Sequence, residues 1–149
     1  MGDTFKSPQT EQEWRDYYQL RWLVLREPWQ QPQGSEQDAL EDQAFHIMAV
    51  DASGHTIGTG RLHRLTQISA QIRYMAVHPR QQGKGIGRQL LQRLEQEAVS
   101  WGCQEIVLNA RSGSLDFYLH QGYQIIGEAP LLFGSIAHKH MRKLLVQPA

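Results

Sequence analysis

The spacing of apolar side chains changes several times along the chain, and each change marks an element. Trp14, Tyr17, Tyr18, Arg21 and Leu25 share one face at helical spacing. Thr10 and Glu13 stand just before them as a capping box, whose side chains satisfy N–H groups that a helix start leaves over. Pro28 cannot continue a helix, so the element ends before it. Residues 29–42 are rich in Gln, Pro and Glu and read as a loop or a short irregular helix. Residues 45–50 are an apolar run of strand length, 51–55 carry turn chemistry, and 56–64 resume as a strand, giving a hairpin. A third strand over 68–77 stops at Pro79, which has no N–H to give a ladder.

Ile86, Leu90, Leu91, Leu94 and Ala98 predict a helix buried on one side, with Gly102 as its stop. A short apolar strand follows over 105–110. Ser112 or Ser114 is placed to cap a brief helix through Gln121, which Gly122 ends. Residues 123–128 and 138–146 read as the last two strands. The predicted order is helix, three strands, helix, strand, helix, two strands. That is a mixed α/β (α+β) domain around a sheet whose early strands are antiparallel.

At 149 residues the chain has room for one domain, 1–149, and can bury a core without staples. No apolar run approaches the roughly 18 residues of a membrane span. The first ten residues lack the apolar core of a secretory signal. Cys103 is the only cysteine, which excludes an internal disulfide and a multi-cysteine metal site. His138 and His140 share a strand face but have no such support, so no metal is expected. Cys103 itself reads as a small buried hydrophobe. Trp14, Trp22, Trp29 and Trp101 read as core or cleft wall. The expectation is a soluble, cytoplasmic protein.

Charge changes this picture. Basic and acidic residues balance at 15 each, but residues 1–45 hold four basic side chains against nine acidic ones. Between Arg61 and Leu94 stand seven basic residues (Arg61, Arg64, Arg73, Arg80, Lys84, Arg88 and Arg93) and no acid. The positive part suits an anionic ligand and the acidic part a cationic one. Two ordinary solvated faces are the plain alternative. The neutral total and the lack of aromatics interleaved with the basic run argue against nucleic acid as a partner.

The candidate chemistry lies in residues 77–87. There a strand ends, a loop with glycines at 83, 85 and 87 follows, and an amphipathic helix begins. Glycine permits positive φ and close approach of a ligand to backbone. The first N–H groups of a helix have no intrahelical partner and sit at the positive end of its dipole, which makes an anion site suited to phosphate. Lys84 and Arg88 add full charges beside it. The spacing is neither the G-x-x-x-x-G-K-S/T of a P-loop nor the G-x-G-x-x-G of a dinucleotide fold.

Gln82-Gly83-Lys84-Gly85-Ile86-Gly87 fits every specified position of Q/R-x-x-G-x-G/A, the acetyl-CoA motif of the GNAT N-acetyltransferase family. Met75-Ala76-Val77-His78-Pro79 is similar to the family's V-x-P strand end. Phe117-Tyr118-Leu119-His120-Gln121-Gly122-Tyr123 resembles its FYxxxGF helix and turn. The resemblance implies a mainly antiparallel sheet with a splayed central strand pair and flanking helices. It implies acetyl-CoA as co-substrate and an amine acceptor, small molecule or peptide. Backbone of Met75, Ala76 and Val77 would pair with the pantetheine arm, and amides from Gln82 to Arg88 would hold the pyrophosphate. A homodimer is a further expectation.

Acyl transfer needs an amine free of its proton, a polarised thioester carbonyl and a proton for the leaving thiolate. A side-chain amine near pKa 10.4 is mostly a cation at neutral pH. Tyr118 matches the family tyrosine that acts as general acid near the sulfur. Phe117 beside it reads as core or cofactor contact. The N–H of Ala76 or Val77 would polarise the carbonyl, as the family's bulged strand does. Many relatives carry Asn seven residues before the tyrosine, where this chain has Arg111. Asn109 lies two residues earlier, and either stands as candidate for that cofactor contact. The run 61–94 has no carboxylate, so candidates for the base are Glu41, Asp42, His63, His78 and His138. Glu36, Asp38, Glu41 and Asp42 would receive a cationic amine. The alternative to an enzyme is a sensor domain that binds acetyl-CoA without turnover.

Overall fold

The computed structural model describes residues 2–145, which form three α-helices and seven strands. One strand is not anticipated by the sequence reading: β1 (Thr4–Lys6) pairs antiparallel with β2 (Phe45–Val50). Three residues are too few to show a period of two. Between them, α1 (Glu11–Leu25) opens on the expected capping box, in which Thr10 Oγ1 accepts from Glu13 N at 3.1 Å and Glu13 Oε1 accepts from Thr10 N at 3.3 Å. Two isolated 3₁₀ turns, Glu27–Trp29 and Glu41–Gln43, bracket the loop that follows.

β2, β3 (Thr56–Arg64) and β4 (Ser69–Val77) run antiparallel in sequence order. The crossover helix α2 (Ile86–Ser100) then leads to β5 (Glu105–Arg111), which lies parallel to β4. α3 (Leu115–His120) precedes the hairpin of β6 (Gln124–Leu132) and β7 (Ile136–Leu144). The sheet order is β1-β2-β3-β4-β5-β7-β6, so β7 sits between β5 and β6. Both last strands are displaced from the predicted ranges, and Val146 lies outside the described residues. Neither Ser112 nor Ser114 caps α3 through its side chain; a 3₁₀ turn over Ser112–Ser114 leads into it instead.

The core lies between α2 and one face of the sheet. Ile86, Leu90, Leu91, Leu94 and Ala98 pack on Ile47, Ala49, Ile57 and Leu62. Each buried leucine or isoleucine among them is worth about 1.5–3 kcal/mol. Gly58 and Gly60 set how closely α2 sits. A Cβ on them would lie 2.8 Å from Leu90 Cδ1 and 2.9 Å from Leu94 Cδ1. The opposite face carries His46 and Arg61, which meet α1 and residues 38–41.

Two irregularities open the middle of this sheet. β4 and β5 pair over only Ser69–Gln71 and Glu105–Val107, and beyond that the strands part, giving the splayed pair that the resemblance implies. β4 also bulges against β3: Thr59 faces Ala76 and Arg61 faces Arg73, so Tyr74 and Met75 together oppose Gly60. Tyr74 takes φ +59°, the left-handed region, which costs a bulky residue about 1–3 kcal/mol. The surroundings hold it there. Thr59 Oγ1 donates to Tyr74 O at 3.1 Å, and the guanidiniums of Arg21, Arg26, Arg61 and Arg73 stand 4.2–5.5 Å from its ring centre.

Candidate active site

The parted strands line two cavities that meet. The larger, about 800 Å³, is a groove along Met75–Val77 and the glycine loop, with Phe117 and Tyr118 also on its wall. The smaller, about 410 Å³, lies where β4, β5 and the β6–β7 hairpin come together, and its wall includes Arg26, Arg73, Arg111, Tyr74 and His138. Leu25, Met75, Arg111, Ser114 and Tyr118 line both.

The groove is made of backbone. Gly83 and Gly85 take φ +80° and +82°, and a Cβ on either would meet no atom within 4 Å. Their shape therefore serves the loop's course and not its packing. The first bond of α2 runs from Gln89 N to Gly85 O, so the N–H groups of Ile86, Gly87 and Arg88 precede the helical ladder. These donors border an open groove, which fits a phosphate-bearing ligand. Gly87 has a different duty: a Cβ there would stand 3.4 Å from Phe117 Cζ, so its absence lets α3 approach α2. The loop is tied to itself by Gln82 Nε2 donating to Val77 O and Arg80 N donating to His78 Nδ1.

Of the sequence-predicted cofactor residues, Met75, Ala76, Val77, Gln82, Gly83, Gly85, Ile86, Gly87, Arg88, Phe117 and Tyr118 all line this groove. Lys84 does not; it is exposed and its Nζ donates to Gln81 Oε1 at 3.1 Å. Asn109 also lies elsewhere, on the wall of the smaller cavity, with Oδ1 2.8 Å from His140 Nδ1. Arg111 lies on both walls. Its Nη2 donates to Leu25 O and its guanidinium stacks on Trp29 at 4.4 Å.

Tyr118 is buried, packed edge-on between Phe117 and Tyr123 at 5.0 and 5.7 Å. Burial pushes its phenol well above the ordinary range, so the proton stays on Oη at neutral pH. Tyr123, which supports it, is anchored by donating to Glu95 Oε2 at 2.9 Å.

The five candidates for a base separate cleanly. Glu41 accepts from Arg21 Nη1 at 3.0 Å and from Arg61 Nη1 at 2.8 Å, a clamped counter-ion. Asp42 is exposed and lines neither cavity. His63 is buried against Arg61 Nη2, and His78 serves the loop turn. His138 alone of the five lines a cavity. Its Nδ1 lies 3.0 Å from Ile136 O, a carbonyl that only accepts, so in the neutral ring Nδ1 holds the proton and Nε2 keeps its lone pair. Burial, and then Arg111, Arg26 and Arg73, hold its pKa below the usual histidine value.

The acidic residues expected to receive a cationic amine lie off both cavities, which corrects that expectation. Asp38 accepts from Arg61 and Arg73, and although burial works to raise its carboxyl, those partners hold it at about 2. Glu36 is buried and accepts from Gly34 N at 2.7 Å. None of Glu36, Asp38, Glu41 and Asp42 lines either cavity. Asp38 and Glu41 instead neutralise Arg21, Arg61 and Arg73, pairs that lie 20 to 35 residues apart in the chain and leave no local signature. Arg26 and Tyr74 are further wall residues that the sequence reading passes over, because nothing in spacing joins them to the glycine loop.

The family model described as the acetyltransferase (GNAT) family matches residues 14–123. The uncharacterized N-acetyltransferase YjcF of Bacillus subtilis (strain 168) is 27% identical over 133 residues, covering 89% of this chain and 94% of that protein. An acyl-CoA N-acyltransferase of Pseudomonas aeruginosa superposes with TM-score 0.78 at 26% identity, over 95% of this chain and 97% of that one. An aminoglycoside 6'-N-acetyltransferase complexed with coenzyme A has the same fold at TM-score 0.82 and 16% identity, over 100% and 99% of the two chains. Among the described residues no helix is long and apolar enough to cross a membrane.

Proposed function

The chain belongs to the acetyltransferase (GNAT) family, and on that footing we propose that residues 1–149 form one domain that moves an acetyl group from acetyl-CoA directly to a primary amine, with Tyr118 as general acid. One observation carries the reading: a buried, protonated tyrosine stands on the wall shared by the two cavities. The groove residues Met75–Val77 and Gln82–Arg88 would hold the co-substrate, which supplies an acetyl group already activated as a thioester. Arg88 adds charge at the glycine loop, and Lys84 contributes from outside the wall.

The bulge supports a polarising role for this strand. It interrupts the β3–β4 ladder beside Ala76 and Val77, whose N–H groups we assign to the carbonyl. Tyr118 Oη holds the proton that the departing sulfur requires. His138 Nε2 takes the proton that the acceptor nitrogen must lose. The positive side chains around it also lower the acceptor's own pKa, since a like charge disfavours an ammonium. To this reading belong a cytoplasmic location and a homodimer, the latter supported by exposed Ile125 and Ile126 on edge strand β6 and readable by sedimentation.

Calorimetry with acetyl-CoA and CoA tests the proposal, comparing wild type with Gly85→Glu, whose side chain would fill the open space above the loop. Micromolar binding by wild type and none by a folded variant is expected. No binding by folded wild type overturns the reading. Binding without turnover of any amine would make the domain a sensor.

A further inference from the structure

We propose that the smaller cavity selects a compact anionic amine, a primary amine that also carries a carboxylate or a phosphate, held by Arg26, Arg73 and Arg111. The inference rests on the acetyltransferase reading and names the acceptor that reading leaves open.

Positive charge around this cavity is unmatched. Arg26 is buried, yet its hydrogen bonds go to the carbonyls of Ser35 and Leu25. Arg111 likewise donates to Leu25 O and stacks on Trp29. Among the described residues, no carboxylate stands within ion-pair distance of either. Arg73 has one partner, Asp38, which it shares with Arg61. Around Tyr74 and the cavity, Arg21, Arg26, Arg61, Arg73 and Arg111 thus face two carboxylates, Asp38 and Glu41, and no carboxylate lines the cavity itself. Three positive charges are left over where desolvation makes an uncompensated charge expensive.

The mutual repulsion is visible in the groups themselves. Burial and then Arg26 push Arg111 down to about 10, and burial with Arg73 and Arg21 lowers Arg26. A ligand bearing one or two negative charges reduces that imbalance. The planar guanidinium forks match carboxylate and phosphate geometry. The same excess disfavours a polyamine. Ile72, Leu131 and Leu132 line the rest of the cavity, leaving room for a short aliphatic part, and the volume of about 410 Å³ suits a small molecule.

In the reaction the acceptor nitrogen loses one proton and forms its bond to the acetyl carbon as the carbon–sulfur bond breaks. A proton returns to sulfur, so amine and thioester become amide and thiol.

The test is a thiol-release assay on the full chain with acetyl-CoA and matched amines. L-leucine is set against leucinamide, phosphoethanolamine against ethanolamine, and putrescine serves as the cation. The anionic member of at least one pair should exceed its neutral twin by about tenfold or more in kcat/KM, the scale of a hydrogen bond to a charged group, with putrescine poorest. Which pair responds separates carboxylate from phosphate. Arg26→Gln, and independently Arg73→Lys, should raise KM for the anionic amine by at least tenfold more than for its neutral twin, with acetyl-CoA affinity little changed. Equal or better use of neutral or cationic amines overturns the proposal. So does acetyl-CoA binding with no turnover of either anionic amine. Failure of folded wild type to bind acetyl-CoA overturns the acetyltransferase reading beneath it, a result calorimetry reports separately.

Discussion

The two cavities share five wall residues and are built by opposite means. The groove is main chain: one stretch, Gln82–Arg88, bends through two left-handed glycines and presents the unpaired start of α2. The smaller cavity is side chain: α1's end, β4, β5 and the last hairpin all lend groups, and one wall arginine, Arg73, is held by Asp38 from 35 residues away in sequence. A site built on backbone tolerates most side-chain changes and depends on a few glycines. A site built on side chains from distant elements depends on every contributor being present. The first arrangement suits a ligand common to a family, the second an acceptor particular to one chain.

The largest effect is expected at Glu41. Glu41→Ala leaves the buried guanidiniums of Arg21 and Arg61 short of a counter-charge, and stability should fall by about 3–5 kcal/mol in urea unfolding. Below its lowered melting temperature the variant should still bind acetyl-CoA, since the groove shares none of these pairs. Tyr118→Phe works at the junction. It should cost about a hundredfold in kcat with acetyl-CoA affinity by calorimetry little changed.

pH should sharpen the contrast. Because burial and the surrounding arginines lower the His138 pKa, its Nε2 lone pair persists to lower pH than in a free imidazole. Amine turnover should therefore fall only as pH drops through a value below 6.5, and His138→Asn should remove that limb. Acetyl-CoA affinity should stay flat over the same interval. The smallest effect belongs to Thr10→Ala, which removes the α1 cap for about 1 kcal/mol of stability and alters neither cavity.

The same contrast governs what can be read from sequence. The capping box, the α2 stripe and the glycine loop are local, and each declares itself in a few adjacent residues. The partition of charge does not. Asp38 and Glu41 look like part of an acidic patch open to a cation, but in the folded chain they are inward counter-ions of Arg21, Arg61 and Arg73. Composition reports how many charges there are and not which of them cancel. Tyr74 is the extreme case. A tyrosine at φ +59° contradicts local preference, and only the tertiary surroundings explain it.

The short seam between β4 and β5 carries a hazard unrelated to catalysis. Where the strands part, the sheet acquires two edges in its interior, and bare edges recruit strands from other molecules into aggregates. Proteins blunt such edges with bulges and charges, and both are present: the Tyr74–Met75 bulge on one side, Arg73 and Arg111 flanking the gap. The irregularities that open the sheet to a ligand are thus the ones that keep it from joining its neighbours.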